Sequence, residues 1–202
     1  MRKYRFHDEF YFQKPDIENS YWAGFIAADG CVSNKGNSLS IALAEKDKKH
    51  LLLFANTIKY TGNLLKHEKT KSYRLNIYGA QNINKHLLEN YNITPRKSLT
   101  LQPPNLEDNF HIKSFIVGLI DGDGCILISK RDKTLILNLV GSKYIIEWVK
   151  IYLEEIYDLE SKTIYKPGNI YHYRLEGKNA VYVLEDLKLL PIPKLERKWS
   201  KV

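Results

Sequence analysis

The sequence predicts an α+β protein made of two copies of one αββαββ(α) unit, and three observations predict it. An apolar phrase occurs twice, as Trp22-Ala23-Gly24-Phe25-Ile26-Ala27-Ala28-Asp29-Gly30 and as Val117-Gly118-Leu119-Ile120-Asp121-Gly122-Asp123-Gly124. Each copy is a helical stretch with small residues on one face, ending in an acid followed by glycine. Both are followed, in the same order, by alternating strand patterns and then by helix. Between them lies Leu101-Gln102-Pro103-Pro104-Asn105, where adjacent prolines oppose both helix and ladder. The expected division is a first repeat over 1–98, a linker over 99–108 and a second repeat over 109–202.

Asp16, after Pro15, is a good N-cap for a first helix that runs to Asp29 and stops at Gly30. Residues 31–45 read as a hairpin, with Asn34-Lys35-Gly36-Asn37 as its turn and Leu39, Ile41 and Leu43 alternating toward a core. Asp47 is placed to cap a helix through Tyr60 whose buried stripe is Leu51, Leu52, Ala55 and Ile58. A hairpin at 63–77 and a helix at 81–91 complete the unit. The second unit repeats this as a helix at 109–123, a hairpin at 125–141, a helix at 143–157, a hairpin at 160–175 and a helix at 178–188. Tyr73-Arg74-Leu75 recurs as Tyr173-Arg174-Leu175, which pairs the two arginines as repeat mates. Most of the 14 tyrosines sit on buried stripes and are assigned to the core.

Composition narrows the function. With 202 residues and 44% hydrophobic content the chain can bury a sizeable core. Its net charge of +8 favours a polyanionic partner. No apolar run approaches the roughly 18 residues of a membrane span, and the N-terminus has no signal-peptide core, so a cytoplasmic protein, or an organellar one if organelle-encoded, is expected. Two cysteines cannot build a disulfide framework or a complete zinc site. Cys31 and Cys125 each follow the motif acid by two residues and are expected to be buried, reduced thiols.

The motif itself carries chemistry. Gly24 and Ala28 are four residues apart, as are Gly118 and Gly122, so two helices can meet there backbone to backbone. Such packing sets Asp29 and Asp123 side by side at helix C-termini, where dipole and like charge both oppose ionisation. A divalent cation held by the acids, main-chain carbonyls, water and phosphate oxygens would relieve that conflict. Asp121-Gly122-Asp123-Gly124 is not an EF-hand loop, because Cys125-Ile126-Leu127-Ile128 turns apolar at once.

At these residues the chain resembles the LAGLIDADG homing endonucleases of the monomeric, two-motif kind, over nearly its whole length. The resemblance implies a pseudo-twofold fold whose two four-stranded antiparallel sheets form a DNA-binding saddle, with the motif helices at the repeat interface. It implies that Asp29 and Asp123 bind Mg²⁺, with Mn²⁺ able to substitute, assisted by the carbonyls of Ala28 and Gly122. It further implies hydrolysis of one phosphodiester on each strand across the minor groove, leaving short 3′ overhangs. Glu45 and Lys49 match the family's pocket positions, Lys97 its basic residue near the repeat end, and Lys198, with Lys194 as fallback, the second such lysine. The second-repeat counterparts of Glu45 and Lys49 fall at Gly141 and Ile145, which predicts unequal pockets and unequal strand cuts. The sixth motif letter, usually acidic, is Ala27 in one copy and Asp121 in the other, and is not the metal-binding position.

Strand parity selects the outward residues. With Leu75 and Ile77 inside, Arg74 and Asn76 face out, together with Arg174. The first hairpins add Ser33, Lys35, Ser38 and Ser40, then Ser129, Arg131 and Asn138. Such a ribbon can enter the major groove, where Arg reads guanine and Asn reads adenine. The expected function is a monomeric, Mg²⁺-dependent endonuclease acting on a long asymmetric double-stranded DNA site and encoded in or beside an intron. Its rivals are an intron RNA maturase on the same fold and a catalytically silent DNA-binding regulator. Retention of both Asp29 and Asp123 favours cleavage, since RNA binding alone does not need them.

Overall fold

A computed structural model describes residues 6–202, so the first five residues of the 1–98 repeat lie outside the described residues. The first unit runs α1 (Ile17–Asp29), β1 (Gly30–Val32), β2 (Ser38–Ala44), α2 (Lys48–Thr57), β3 (Leu65–His67), β4 (Ser72–Tyr78) and α3 (Gln81–Tyr91). The second runs α4 (Asn109–Asp123), β5 (Cys125–Ile128), β6 (Leu135–Gly141), α5 (Lys143–Ile156), β7 (Tyr171–Glu176), α6 (Gly177–Lys188) and a short α7 (Glu196–Trp199). All strand pairs are antiparallel, in a sheet ordered β1-β2-β4-β3 and a second ordered β5-β6-β7. The expected α+β class holds. No helix among the described residues is long and apolar enough to cross a membrane.

The centre is the pair α1 and α4, whose mutual contact is the most extensive in the molecule among the described residues. A Cβ on Gly24 would lie 2.0 Å from the Phe115 carbonyl oxygen, and one on Gly118 would lie 2.1 Å from that of Tyr21. One on Gly122 would lie 2.2 Å from the Ala28 Cβ. The small residues therefore meet in order along both helices, which run in the same sense and bring their C-termini together. Asp16 starts α1 through a reciprocal cap, accepting from the Asn19 N–H (2.7 Å) while its own N–H donates to Asn19 Oδ1 (2.8 Å). Asp108 caps α4 through the N–H groups of Phe110 and His111. Neither helix is stopped by a left-handed glycine. Gly30 and Gly124 are extended, at φ −80° and −85°, and are required because a Cβ would lie 2.6 Å from the carbonyl oxygen of Ile26 or Ile120 in the last turn.

Several expectations are corrected. The second sheet has three strands rather than four, because the segment before the turn at Lys166-Pro167-Gly168-Asn169 joins β7 only at one isolated bridge, Tyr165 to His172. On α2 the stripe is His50, Leu51, Phe54, Ala55 and Ile58, while Leu52 is 40% exposed. Asp47 precedes α2 but makes no cap bond. Cys31 and Cys125 are exposed, not buried, because Gly30 and Gly124, one residue earlier in each repeat, point inward.

Register also separates the two arginines. Cys31 pairs with Ser40 and Ser40 with Asn76, while Cys125 pairs with Asn138 and Asn138 with Arg174. Arg174 is thus the mate of Asn76, and Arg74 that of His172. Gly79 and Gly177, which follow these strands at φ 71° and 59°, agree with this alignment. The shift is two residues, so both arginines keep the outward face that parity assigned. The same register makes Gly141, paired with Tyr171, the counterpart of Leu43, paired with Tyr73, rather than of Glu45.

The interface has no room for even one carbon. Gly118→Ala is expected to lower unfolding free energy by about 3 kcal/mol or more through overpacking against backbone, read as a drop in the urea midpoint, while Lys49→Ala on the exposed side of α2 stays within about 0.5 kcal/mol. A Gly118→Ala midpoint equal to wild type would show that the helices can separate at no cost.

Candidate active site

The helix pair delivers Asp29 and Asp123 to adjacent positions at the ends of α1 and α4. Both side chains reach solvent, yet protein packs around most of each carboxyl and hydrates it poorly. Restricted hydration, followed by the charge of Asp123, pushes the Asp29 pKa up to about 6. Asp123 is raised as well, through restricted hydration, with Lys97 and Lys198 opposing.

Each helix end is capped by a buried lysine. Lys97, 6% exposed, lies in a helical turn at Lys97–Leu99 and donates to the carbonyls of Gly30 (2.6 Å) and Ala28 (3.4 Å). Lys198, 5% exposed, lies on α7 and donates to the carbonyls of Ile120 (2.8 Å), Asp121 (2.5 Å), Gly122 (3.3 Å) and Gly124 (2.7 Å). The ammonium groups meet the negative ends of the helix dipoles. Burial lowers the pKa of both lysines. The influence is crossed, because the positive charge felt most by Asp123 is Lys97 and that felt most by Asp29 is Lys198. Each acid therefore feels the lysine of the other repeat more strongly than that of its own.

The remaining sequence candidates are spread more widely. Glu45 is exposed in the turn at Glu45–Asp47, 3.9 Å from Lys66, and Lys49 is exposed on α2. Two residues after Glu45, the buried Asp47 accepts a two-pronged contact from Arg197, Nε at 2.7 Å and the second nitrogen at 2.8 Å, and its charge reaches Asp29. The recurrence of Arg96-Lys97 as Arg197-Lys198 is the one sequence signal that could have singled out Arg197. Nothing local marks Asp47 as its partner. Lys194 caps the carbonyls of Leu190 and Ile192 instead. Gly141 and Ile145 line a largely apolar cavity of about 200 Å³ together with Ala27, Ser98, Lys97 and Asp123.

On the open sheet faces Ser40 and Asn76 stand in one row, Ser38 beside Tyr78, and Arg74 between Ala42 and Leu65. Asn138 and Arg174 form the matching row of the second sheet, where Arg174 pairs with Glu176. Ser33 and Lys35 lie at the β1–β2 turn, in which the Ser33 hydroxyl accepts from the N–H groups of Asn37 and Ser38. Ser129 and Arg131 lie at the β5–β6 turn, with Arg131 beside Asp132.

The described residues contain no group of three or more acidic, histidine or cysteine side chains placed to hold a metal ion by themselves. Two carboxylates suit a cation that fills its shell with carbonyls, water and phosphate oxygens, as Mg²⁺ does. The carbonyls of Ala28 and Gly122 stand beside the acids and accept only the longest of the lysine bonds, 3.4 and 3.3 Å. The donor set therefore fits a hard divalent ion.

No protein-family model and no curated protein sequence matches the chain. Solved structures do. The LAGLIDADG meganuclease I-AabMI bound to uncleaved DNA matches at TM-score 0.62 and 16% identity, over 90% of this chain and 86% of that one. I-GzeII, a LAGLIDADG homing endonuclease in complex with its DNA target, matches at 0.62 and 13%, over 92% and 89%. I-SmaMI, bound to an uncleaved DNA target in the presence of calcium ions, matches at 0.58 and 13%, over 91% and 87%. The fold is that of the LAGLIDADG homing endonucleases.

Because the folded pKa of Asp29 lies above the ordinary carboxylate value, its ionisation opposes folding. The opposition is absent below the unfolded pKa near 3.8 and complete above about 6. Asp29→Asn should therefore raise the melting temperature of the metal-free protein at pH 7.5 by a few degrees and leave it unchanged at pH 4. Equal shifts at both pH values would show that Asp29 carries no such strain.

Proposed function

We propose that this protein is a site-specific, metal-dependent double-strand DNA endonuclease of the homing type, using Mg²⁺ with Mn²⁺ as a substitute and acting as a single chain. The observation that carries the reading is the carboxylate pair at the ends of two parallel helices, each end capped by a buried lysine. The likeness to DNA-bound endonucleases of the same fold supports it, and the calcium-containing relative supports a divalent ion.

The pseudo-twofold axis through the helix pair matches the local symmetry of a duplex and offers one half-centre to each strand. Asp29, Asp123 and the carbonyls of Ala28 and Gly122 would hold the cation. When bound, it supplies an acidified water and neutralises charge on the scissile phosphate. Lys97 and Lys198 hold positive charge next to the phosphate and stabilise the negative charge that grows on its oxygens. The Arg197 guanidinium, fixed by Asp47, places a second positive charge beside Lys198. Cleavage of one bond per strand across the minor groove, leaving short 3′ overhangs, is what the resemblance to the homing endonucleases implies for this chain. The open sheet faces enter the major groove on either side, with Ser40, Arg74, Asn76, Asn138 and Arg174 presented to base edges and the turn residues Ser33, Lys35, Ser129 and Arg131 nearer the backbone. The net charge of +8 provides the counterion-release contribution.

Purified protein incubated with DNA carrying the uninterrupted junction of its own gene's insertion site tests the reading. Mg²⁺ should yield two defined ends and omission of metal should yield none. Asp29→Asn and Asp123→Asn should each abolish double-strand cleavage while retaining binding in a mobility-shift titration. Wild-type cutting rates in either variant would remove the acids from the chemistry, and folded variants unable to bind would make them recognition residues instead.

A further inference from the structure

The two repeats secure their lysines differently, and the difference begins at the sixth motif letter. In the second repeat this is Asp121, 1% exposed. Its Oδ2 accepts from the Tyr21 hydroxyl (2.8 Å) and the Leu195 N–H (2.8 Å), and its Oδ1 from the Trp199 indole N–H (2.7 Å). The single Tyr21 proton is thereby committed, so His50, whose Nε2 lies 2.7 Å from the same hydroxyl oxygen, donates from Nε2. Burial, which pushes the His50 pKa down to about 4, keeps the ring neutral in that role.

Leu195 and Trp199 flank the functional pair Arg197 and Lys198. Residues 195–199 are thus pinned through the Leu195 main chain, the Arg197 fork on Asp47 of the first repeat, the Lys198 ammonium on the α4 carbonyls and the Trp199 indole. Two of these attachments converge on Asp121, and Tyr21 and His50 tie it in turn to the first repeat. The first repeat has Ala27 where the second has Asp121, and Ser98 after its lysine where the second has Trp199. Both Ala27 and Ser98 line the cavity of about 200 Å³ that borders Lys97 and Asp123. What is a filled, hydrogen-bonded joint beside Lys198 is open space beside Lys97.

We propose that Asp121 is the catch of a C-terminal latch: a positioning residue that fixes residues 195–199 against both repeats and so holds Lys198 at the α4 terminus. The turn that carries Lys97 has no catch at the sixth motif letter, which is Ala27; its Leu101 carbonyl accepts from the Ser142 hydroxyl (2.7 Å) instead. The half-centre served by Lys198 depends on the latch and the other does not, which turns a difference between Asp121 and Ala27 into a difference between the two strand cuts. The strand-rate consequence rests on the nuclease reading, whereas the anchoring of the segment does not.

The test uses the full chain and two readouts, deuterium uptake over residues 195–199 and single-turnover cleavage with each strand labelled separately. Asp121→Asn turns one acceptor oxygen into a donor facing other donors, and Trp199→Phe keeps an aromatic ring of smaller volume while removing the indole N–H. Either is expected to raise exchange of the segment about tenfold or more. Either should also slow one strand by about tenfold or more while the other stays within about twofold. Adding Lys198→Ala to Asp121→Asn should cost that strand little further, because the lysine is already displaced. Unchanged exchange in both variants overturns the proposal, as does release of the segment with equal slowing of both strands, or full additivity with Lys198→Ala. If wild-type protein cuts no DNA, the nuclease reading falls and the exchange measurement alone decides the latch.

Discussion

The fold depends on one contact, the meeting of α1 and α4 without side chains between them at Gly24 and Gly118. A Cβ at either position would stand about 2 Å from a carbonyl oxygen of the facing helix, well inside any tolerable separation. Close approach of the backbones sets the distance between the two sheets and brings the two helix ends to one place. Everything chemically distinctive about the molecule sits at that place. A bulkier seam would still bury apolar surface, but it would separate the two acids.

Bringing the acids together is electrostatically unfavourable, and the surrounding residues answer that cost. Two carboxylates at helix C-termini suffer from the dipoles, from each other and from restricted hydration, as the raised pKa of Asp29 records. Lys97 and Lys198 offset part of this while satisfying carbonyls that the helices leave free. Their crossed influence makes the electrostatics around each acid a joint product of both repeats. The strain that remains is of the kind a bound cation removes, and it is characteristic of sites kept for chemistry rather than for stability.

The duplication is close in backbone and loose in side chains. Strand register aligns Ser40 with Asn138 and Asn76 with Arg174, so the two open faces share a geometry while offering different hydrogen-bonding groups. The same divergence reaches the centre, where a buried Asp121, Trp199 and Arg197 on one side contrast with Ala27, Ser98 and a cavity on the other.

The sequence by itself determined what is periodic or repeated. Alternation placed Leu39, Ile41 and Leu43 inside, the small-residue spacing predicted the helix seam, Asp16 and Gly30 bounded α1, and the duplicated phrase singled out Asp29 and Asp123. These features are local, and a few residues suffice to express the physical rule behind each. The tertiary structure alone decided what depends on groups far apart in the chain. It exposed Cys31 and Cys125 by setting their strand parity against the core, and it moved the mate of Arg174 from Arg74 to Asn76, since hydrogen-bond register rather than a matching phrase defines equivalence. It assigned Asp47 to Arg197, 150 residues away, instead of to the helix it precedes. It also gave Asp121 three donors from two segments distant in sequence. A buried polar group must find partners wherever the fold supplies them, and one-dimensional spacing carries no record of which distant residue that will be.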